Sequence, residues 1–295
     1  MIFPLSVVCA FGLAITWVIV GIIKAMPWYF IVLLSLGTLV VVVALFCILV
    51  MILLLTLGKK FAKTYNPKDK KRWFFMVDVA RFSCFWLGVK VKVNGLEKLP
   101  KDAPVVFYCN HESYLDMFIL YTILHKWPHA TMYKKIIETY PLASGMAKAL
   151  GGVSIEREDD REALKSIIKI IGEVKEGVNF LIFPEGTRAK TSRLNHYKAG
   201  SFKIVQKTNV PAVLLALDGT FKKMMTVPFI PTFIYFNVVD VIYPEDFKDK
   251  STQELADEAT KLVQADIDKA RSKYKSLKYR HNKNGALNKM GVFEK

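Results

Sequence analysis

The sequence predicts an α/β domain with a mostly buried mixed sheet flanked by helices, preceded by an N-terminal helical membrane hairpin. Three observations predict it. Two long apolar runs open the chain, and Lys24 is the only charged side chain between Met1 and Leu57. After Val89, short β-type runs alternate with helical ones. Most of those β-type runs are continuously apolar, as strands covered on both faces are.

The first run, Ile2 to Ile23, is long enough to cross a bilayer. Lys24 to Pro27 breaks it, and Trp28 to Leu57 forms a second run. That run exceeds the roughly 20 residues a span requires, so it must tilt or extend beyond the hydrocarbon. The opening Met1-Ile2-Phe3-Pro4 lacks the positive charge of a signal peptide. Residues 1–58 therefore read as a hairpin, spanning or re-entrant, since both give this pattern. Lys59, Lys60, Lys63, Lys68, Lys70, Lys71 and Arg72 follow at once. The positive-inside rule puts such a cluster on the cytoplasmic side, where anionic headgroups attract it. Trp73 to Leu87 is aromatic-rich but interrupted by Asp78 and Arg81, too short and too charged to span. Residues 59–88 thus read as a basic linker and a helix that either lies in the headgroup layer or packs on the core.

Residues 89–295 form the globular part. Val89 to Val93 alternates and ends at Asn94-Gly95, a turn signal. Pro104 to Cys109 reads as a buried strand, Ser113 to Leu124 as a helix and Val153 to Ile155 as a short strand. Arg161 to Lys175 is an amphipathic helix, closed by Glu176-Gly177. Val178 to Phe183, Val210 to Leu217 and Phe233 to Ile242 read as strands, and Ser201 to Lys207 as a helix. A final helix covers about Thr252 to Leu277, with Leu255, Leu262, Val263 and Ile267 on one face.

The net charge of +16 and pI of about 9.5 suit a polyanionic partner. No nucleic-acid motif accompanies the charge, so anionic lipid or a phosphorylated substrate is the expected partner. Cys9, Cys47, Cys84 and Cys109 show no metal or disulfide spacing and read as small buried hydrophobes. No metal is expected. His125, His129, His196 and His281 lack ligand spacing and read as structural or surface residues, with His196 alone near a motif.

Two segments carry chemistry. Asn110-His111-Glu112-Ser113-Tyr114-Leu115-Asp116 joins a strand to a helix, the edge at which open α/β sheets bind ligands. With His111 on the loop and Asp116 in the first helical turn, the carboxylate fixes the tautomer of the ring and leaves the other nitrogen to take a proton. Ser113-x-x-Asp116 also fits a capping box, in which Asp116 only serves the helix end. The second segment is Phe183-Pro184-Glu185-Gly186-Thr187-Arg188, again after a buried strand. Pro184 and Gly186 make a turn that exposes backbone N–H groups. Thr187 adds a hydroxyl, Arg188 a planar fork for phosphate. Glu185 orients a substrate hydroxyl or holds Arg188.

Together these blocks resemble the glycerophosphate acyltransferases. Asn110, His111 and Asp116 fit that family's Asn-His-x-x-x-x-Asp signature, and Phe183 to Arg188 gives its Phe-Pro-Glu-Gly-Thr-Arg block complete. Ile155-Glu156-Arg157 is similar to its Ile-x-Arg block, Lys134 to a lysine upstream, Lys198 and Gly200 to a later Lys-x-Gly, and Val210-Pro211 to the opening of its fourth block. Ser144 stands where the family usually has glycine, and Leu215 where it has a second proline.

The resemblance implies acyl transfer from a thioester, acyl-CoA or acyl carrier protein as co-substrate with no cofactor, to the hydroxyl of a glycerophosphate in the membrane. His111 would be general base and Asp116 its orienting partner. Arg157, Arg188, Lys134 and Lys198 would hold the phosphate beside Glu185, Gly186 and Thr187. Lysophosphatidate is the expected acceptor. Glycerol-3-phosphate, another lysophospholipid or an amino-acid lysolipid would suit the same chemistry, and a non-catalytic lipid-binding role is the alternative of a different class. The oligomeric state is not encoded in these patterns.

Overall fold

The structure is a computed structural model that describes residues 12, 15–63, 70–101, 103–156, 158–189, 194–224, 226–227, 230–277, 281–282 and 285–286. Its centre is a seven-stranded mixed sheet of order β1-β7-β6-β2-β5-β3-β4. The strands are β1 (Val89–Asn94), β2 (Val106–Cys109), β3 (His129–Lys134), β4 (Val153–Ile155), β5 (Asn179–Ile182), β6 (Ala212–Asp218) and β7 (Thr232–Ile242). Five strands, from β6 across to β4, run parallel. β7 is antiparallel to β6 and carries β1 parallel beside it.

Alternation along each buried strand feeds two cores. Val106 and Tyr108 of β2, with Ala212, Leu214 and Ala216 of β6, face one side. Helices α5 (Asp160–Lys175), α6 (Ala199–Thr208) and α9 (Thr252–Lys273) cover that side. Phe107, Cys109, Val213, Leu215 and Leu217 point the other way, under α3 (Asp116–Ile123). Local signals set the helix ends: Asp159 accepts from the amides of Arg161 and Glu162 at the start of α5, and Ser251 and Glu254 close a capping box on α9.

Helix α2 (Lys70–Trp86) lies on α3 as a further layer. Trp73 and Met76 are buried there against Tyr121, and the Trp73 Nε1 donates to the His125 carbonyl at 2.7 Å. Phe74 and Phe85 stay exposed on the opposite face. The core-packing alternative for this segment therefore describes its inner face.

Residues 15–23 are helical and turn back at 24–27 into helix α1 (Trp28–Lys63). Trp17 Nε1 donates to Thr38 Oγ1 at 2.8 Å, and a Cβ on Gly21 would overlap Ile31, so the two helices lie in contact as a hairpin. Trp28–Phe46 is long and apolar enough to cross a membrane. The whole of α1, 36 residues, extends about 54 Å, well beyond a hydrocarbon core of roughly 30 Å. Its surplus packs along α4 (Pro141–Ala149), and Phe46 meets Phe82 of α2 with ring centroids 5.3 Å apart. Lys59, Lys60 and Lys63 belong to the last turns of this helix rather than to a linker, while Lys68 falls outside the described residues.

Several elements escape the sequence patterns. β3 begins with His129 and ends with Lys134, polar residues that mask a strand, and α4 has only nine residues, too short a window for a helical pattern to stand out. Short helices α7 (Thr220–Met224) and α8 (Pro244–Phe247) complete the domain. Ser144 sits buried in α4, and Leu215 pairs inside β6 beside a register shift against β7.

His129 stacks on Tyr121 and meets Trp73 and Phe107 edge to face. Its Nε2 has no hydrogen-bond partner among the described residues. Burial pulls its pKa down to about 4. Between about pH 6.5 and 4 the unfolded chain binds a proton here that the folded protein refuses. This site therefore removes stability as pH falls through that window. His129→Phe should show a shallower fall of thermal midpoint between pH 6.5 and 4.5 than the parent. Trp73→Ala, which empties the α2–α3 junction, should lose about 3–5 kcal/mol at pH 7 in denaturant titrations followed by circular dichroism.

Candidate active site

Three adjacent parallel strands end at one edge of the sheet, and each ends in a functional turn. The central β2 runs into His111 and α3, its neighbour β5 into Phe183–Arg188, and its other neighbour β6 into Gly219 and α7. Asn110 extends β2 sideways, its side-chain amide exchanging bonds of 2.8 Å with the carbonyl and N–H of Leu217. The loop that carries His111 is thereby fixed to β6 before it leaves the sheet.

His111 Nδ1 lies 2.7 Å from Asp116 Oδ2. Asp116 is fully buried, while the His111 side chain is 19% exposed and stacks on Phe183 with ring centroids 4.2 Å apart. Among the described residues no hydrogen bond engages His111 Nε2, so the ring presents one nitrogen to the carboxylate and one outward. The capping alternative for Asp116 does not hold, because the helix begins after Leu115 and no side chain caps it. Oδ2 also accepts from the amides of Glu112 (2.7 Å) and Ser113 (2.9 Å). Ser113 is not the N-cap; Leu115 is, and Ser113 Oγ accepts from the Leu115 amide and donates to Asp116 Oδ1 at 3.2 Å.

The turn after β5 is welded to this loop. Glu185 is buried and faces inward: Oε1 accepts from the His111 amide and Oε2 from that of Asn195, both at 2.8 Å. The His111 carbonyl accepts from the Ala189 amide at 2.9 Å. Glu185 thus positions His111, where the sequence suggested a contact with substrate hydroxyl or Arg188. Gly186 takes φ +74° and its N–H closes the turn on the Phe183 carbonyl at 3.1 Å. That amide is therefore occupied, and of the N–H groups the turn was expected to expose, those after Gly186 are the ones left to consider.

Thr187 is exposed, and the Arg188 guanidinium lies 4.1 Å over the ring of Tyr114, a residue of the His111 loop. Lys134 ends β3 at the same edge, two strands from β2. Lys198 is exposed at the N-cap of α6, and its amide is tied to the Pro184 carbonyl at 2.9 Å. Arg157 lies outside the described residues. His196 faces away, bonded through Nε2 to Asp257 at 2.8 Å.

Sequence patterns missed Glu112 and Thr220. Glu112 is buried and accepts the amides of Gly219 and Thr220 at 3.0 and 3.1 Å. Thr220 Oγ1 meets both Glu112 and Asp116. The signal for Glu112 was its place inside the His–Asp spacing; Thr220, 104 residues from Asp116, had none. Cys109 stands beneath this cluster, its thiol pushed well up by burial and then by Asp116, Glu185 and Glu112, so it stays protonated and inert.

A family model described as Acyltransferase matches residues 90–234, from β1 to the third residue of β7. This chain is 30% identical over 177 residues to a chloroplastic 1-acyl-sn-glycerol-3-phosphate acyltransferase of Arabidopsis thaliana, covering 60% of this chain and 49% of that one. A 1-acyl-sn-glycerol-3-phosphate acyltransferase of Borreliella burgdorferi is 30% identical over 149 residues, 50% of this chain and 59% of its own. The chain thus spans about half the length of the curated relatives it matches. A crystal structure of a 1-acyl-sn-glycerophosphate acyltransferase from Thermotoga maritima shares the fold, with TM-score 0.60, 23% identity, and coverage of 75% of this chain and 97% of that one.

Glu185→Gln puts an amide NH₂ where a carboxylate oxygen accepts a backbone N–H. It should cost about 1–3 kcal/mol of stability and lower turnover, whereas a surface control such as Lys169→Gln should do neither. Thermal unfolding and activity measured on the same preparations check this.

Proposed function

We propose that the protein transfers a fatty acyl group from a thioester, acyl-CoA or acyl carrier protein, to the free hydroxyl of 1-acyl-glycerol-3-phosphate, giving phosphatidic acid. The observation that carries this reading is the 2.7 Å contact of His111 Nδ1 with buried Asp116, which leaves Nε2 open at the lip of the sheet.

A hydroxyl attacking a thioester carbon must lose its proton as the C–O bond forms. His111 Nε2 takes that proton, and Asp116 holds the neutral tautomer and then stabilises the imidazolium. The C–S bond breaks as the tetrahedral intermediate collapses, and the proton passes from Nε2 to the departing sulfur. A thiol has a pKa of about 8.5, so its thiolate leaves without a strong acid. One imidazole and one carboxylate therefore suffice, and the amides of Thr187 and Arg188 lie at the turn where the oxyanion would be met.

Arg188, steadied on Tyr114, is the first candidate to grip the acceptor's phosphate, and Lys134, Lys198 and Arg157 are the further cationic candidates. The acceptor reaches this edge from the bilayer by lateral diffusion. The N-terminal hairpin holds the domain at the interface, with the catalytic edge on the cytoplasmic side, where the basic end of α1 meets anionic headgroups.

Thiol release by the purified full chain, with varied acceptors, tests the reading. His111→Ala should lose at least about 10²-fold in kcat. Arg188→Ala should raise KM for phosphate-bearing acceptors, and Tyr114→Ala should do the same more weakly while Tyr114→Phe does not. Turnover confined to acceptors without phosphate would show that the cationic assignment is wrong.

A further inference from the structure

We propose that Thr220, at the end of β6, is a positioning residue of this reaction: its hydroxyl stands between the buried carboxylates of Asp116 and Glu112 and keeps Asp116 aimed at His111. The inference rests on the acyl-transfer reading and extends the site to a third strand.

Asp116, Glu112 and Thr220 are 0%, 2% and 0% exposed. Thr220 Oγ1 makes a short bond to Asp116 Oδ1 and lies 3.2 Å from Glu112 Oε2. A hydroxyl has one proton, and the shorter contact assigns it to Asp116. That bond holds the oxygen of Asp116 that does not face the imidazole, so it fixes the rotation of the carboxyl plane about its own axis. Asp116 and Glu112 are like charges in a dry interior, where repulsion is poorly screened. With the hydroxyl gone, the two oxygens face each other across the space it filled. The carboxylate relieves that contact by turning, and turning lengthens its bond to His111 Nδ1.

Capping α7 does not explain the hydroxyl. Glu112 Oε2 already accepts the amides of Gly219 and Thr220, with that of Phe221 at 3.4 Å, so the helix end is served without Thr220 Oγ1. The turn is also built to bring Thr220 here. Arg271 grips Asp218 with two bonds, of 2.8 and 2.9 Å, and anchors the end of β6. Gly219 takes φ +100°, and a Cβ there would lie 2.8 Å from the Phe233 carbonyl, so only glycine makes this bend. Glu185 secures the His111 main chain from β5; Thr220 secures its carboxylate partner from β6.

The test compares T220S, T220C and T220V, alone and with D116N, in the full chain. One readout needs no substrate: the rate at which diethyl pyrocarbonate modifies His111 at pH 7, followed by mass spectrometry of the peptide that holds it. The second is kcat and KM for thiol release, at enzyme concentrations where D116N turnover exceeds background. T220S, which keeps the donor, should match the parent within about 3-fold, and T220V should lose about 10- to 100-fold in kcat with KM within 2-fold. Modification of His111 should slow in T220V and not in T220S, and T220V should add nothing to D116N in either readout. T220C fills the site with a weak donor and should fall between the two, and it carries the comparison if T220V melts below assay temperature. Equal behaviour of the Ser, Cys and Val variants, or losses that multiply in the D116N background, would overturn the proposal. A parent protein inactive on every acceptor would defeat the functional reading instead, and His111 modification would still decide the role of Thr220.

Discussion

The carboxylate of Asp116 is the point on which this site turns. It is fully buried and takes two backbone amides, the hydroxyls of Ser113 and Thr220, and the imidazole of His111. An ion removed from water is tolerated only when donors replace its hydration. Here the donors come from both ends of the His111 loop and from β6, so the same bonds that make burial possible also fix the direction of the charge. A loop free to move would satisfy the carboxylate equally well in several orientations. This one is tied at two points, because Asn110 joins its start to β6 and Glu185 joins its middle to the turn after β5.

Three carboxylates, Asp116, Glu112 and Glu185, are buried around one loop, and each accepts at least two main-chain N–H groups. Main-chain donors carry no net charge and need no side-chain ordering. They hold the acids in place without lining the mouth with cations, and Arg188 stays available on Tyr114 at the surface. The negative interior and positive rim have different tasks: the first orients the imidazole, the second suits a phosphate.

The relation of the hairpin to this edge follows from strand direction. β2, β5 and β6 all deliver their C-terminal ends to the site, and α4, which follows β3 from the same edge, is the helix along which α1 packs. A helix longer than the hydrocarbon core can span or dip into the bilayer and still reach the domain. The contact of α1 with α4 links the hairpin to the part of the chain that follows β3 from the edge where β2, β5 and β6 also end.

By itself, the sequence determined what depends on neighbours along the chain. The apolar runs specified the hairpin, alternation specified which strands are buried, and the five-residue spacing of His111 and Asp116 was short enough for a loop and one helical turn to close. Pro184 and Gly186 likewise announced a turn from local stereochemistry. Only the tertiary structure decided what depends on strand order. Glu185 turned inward because β5 lies beside β2, Gly186 spent its N–H on its own turn, and Thr220 reached Asp116 because β6 lies on the other side. The β3 strand and α4 were hidden because one is bounded by polar residues and the other is only nine residues long, so neighbours rather than local pattern define them. Periodicity reports how a segment meets water and core, whereas the partner of a buried polar atom is chosen by which chain ends the sheet brings side by side.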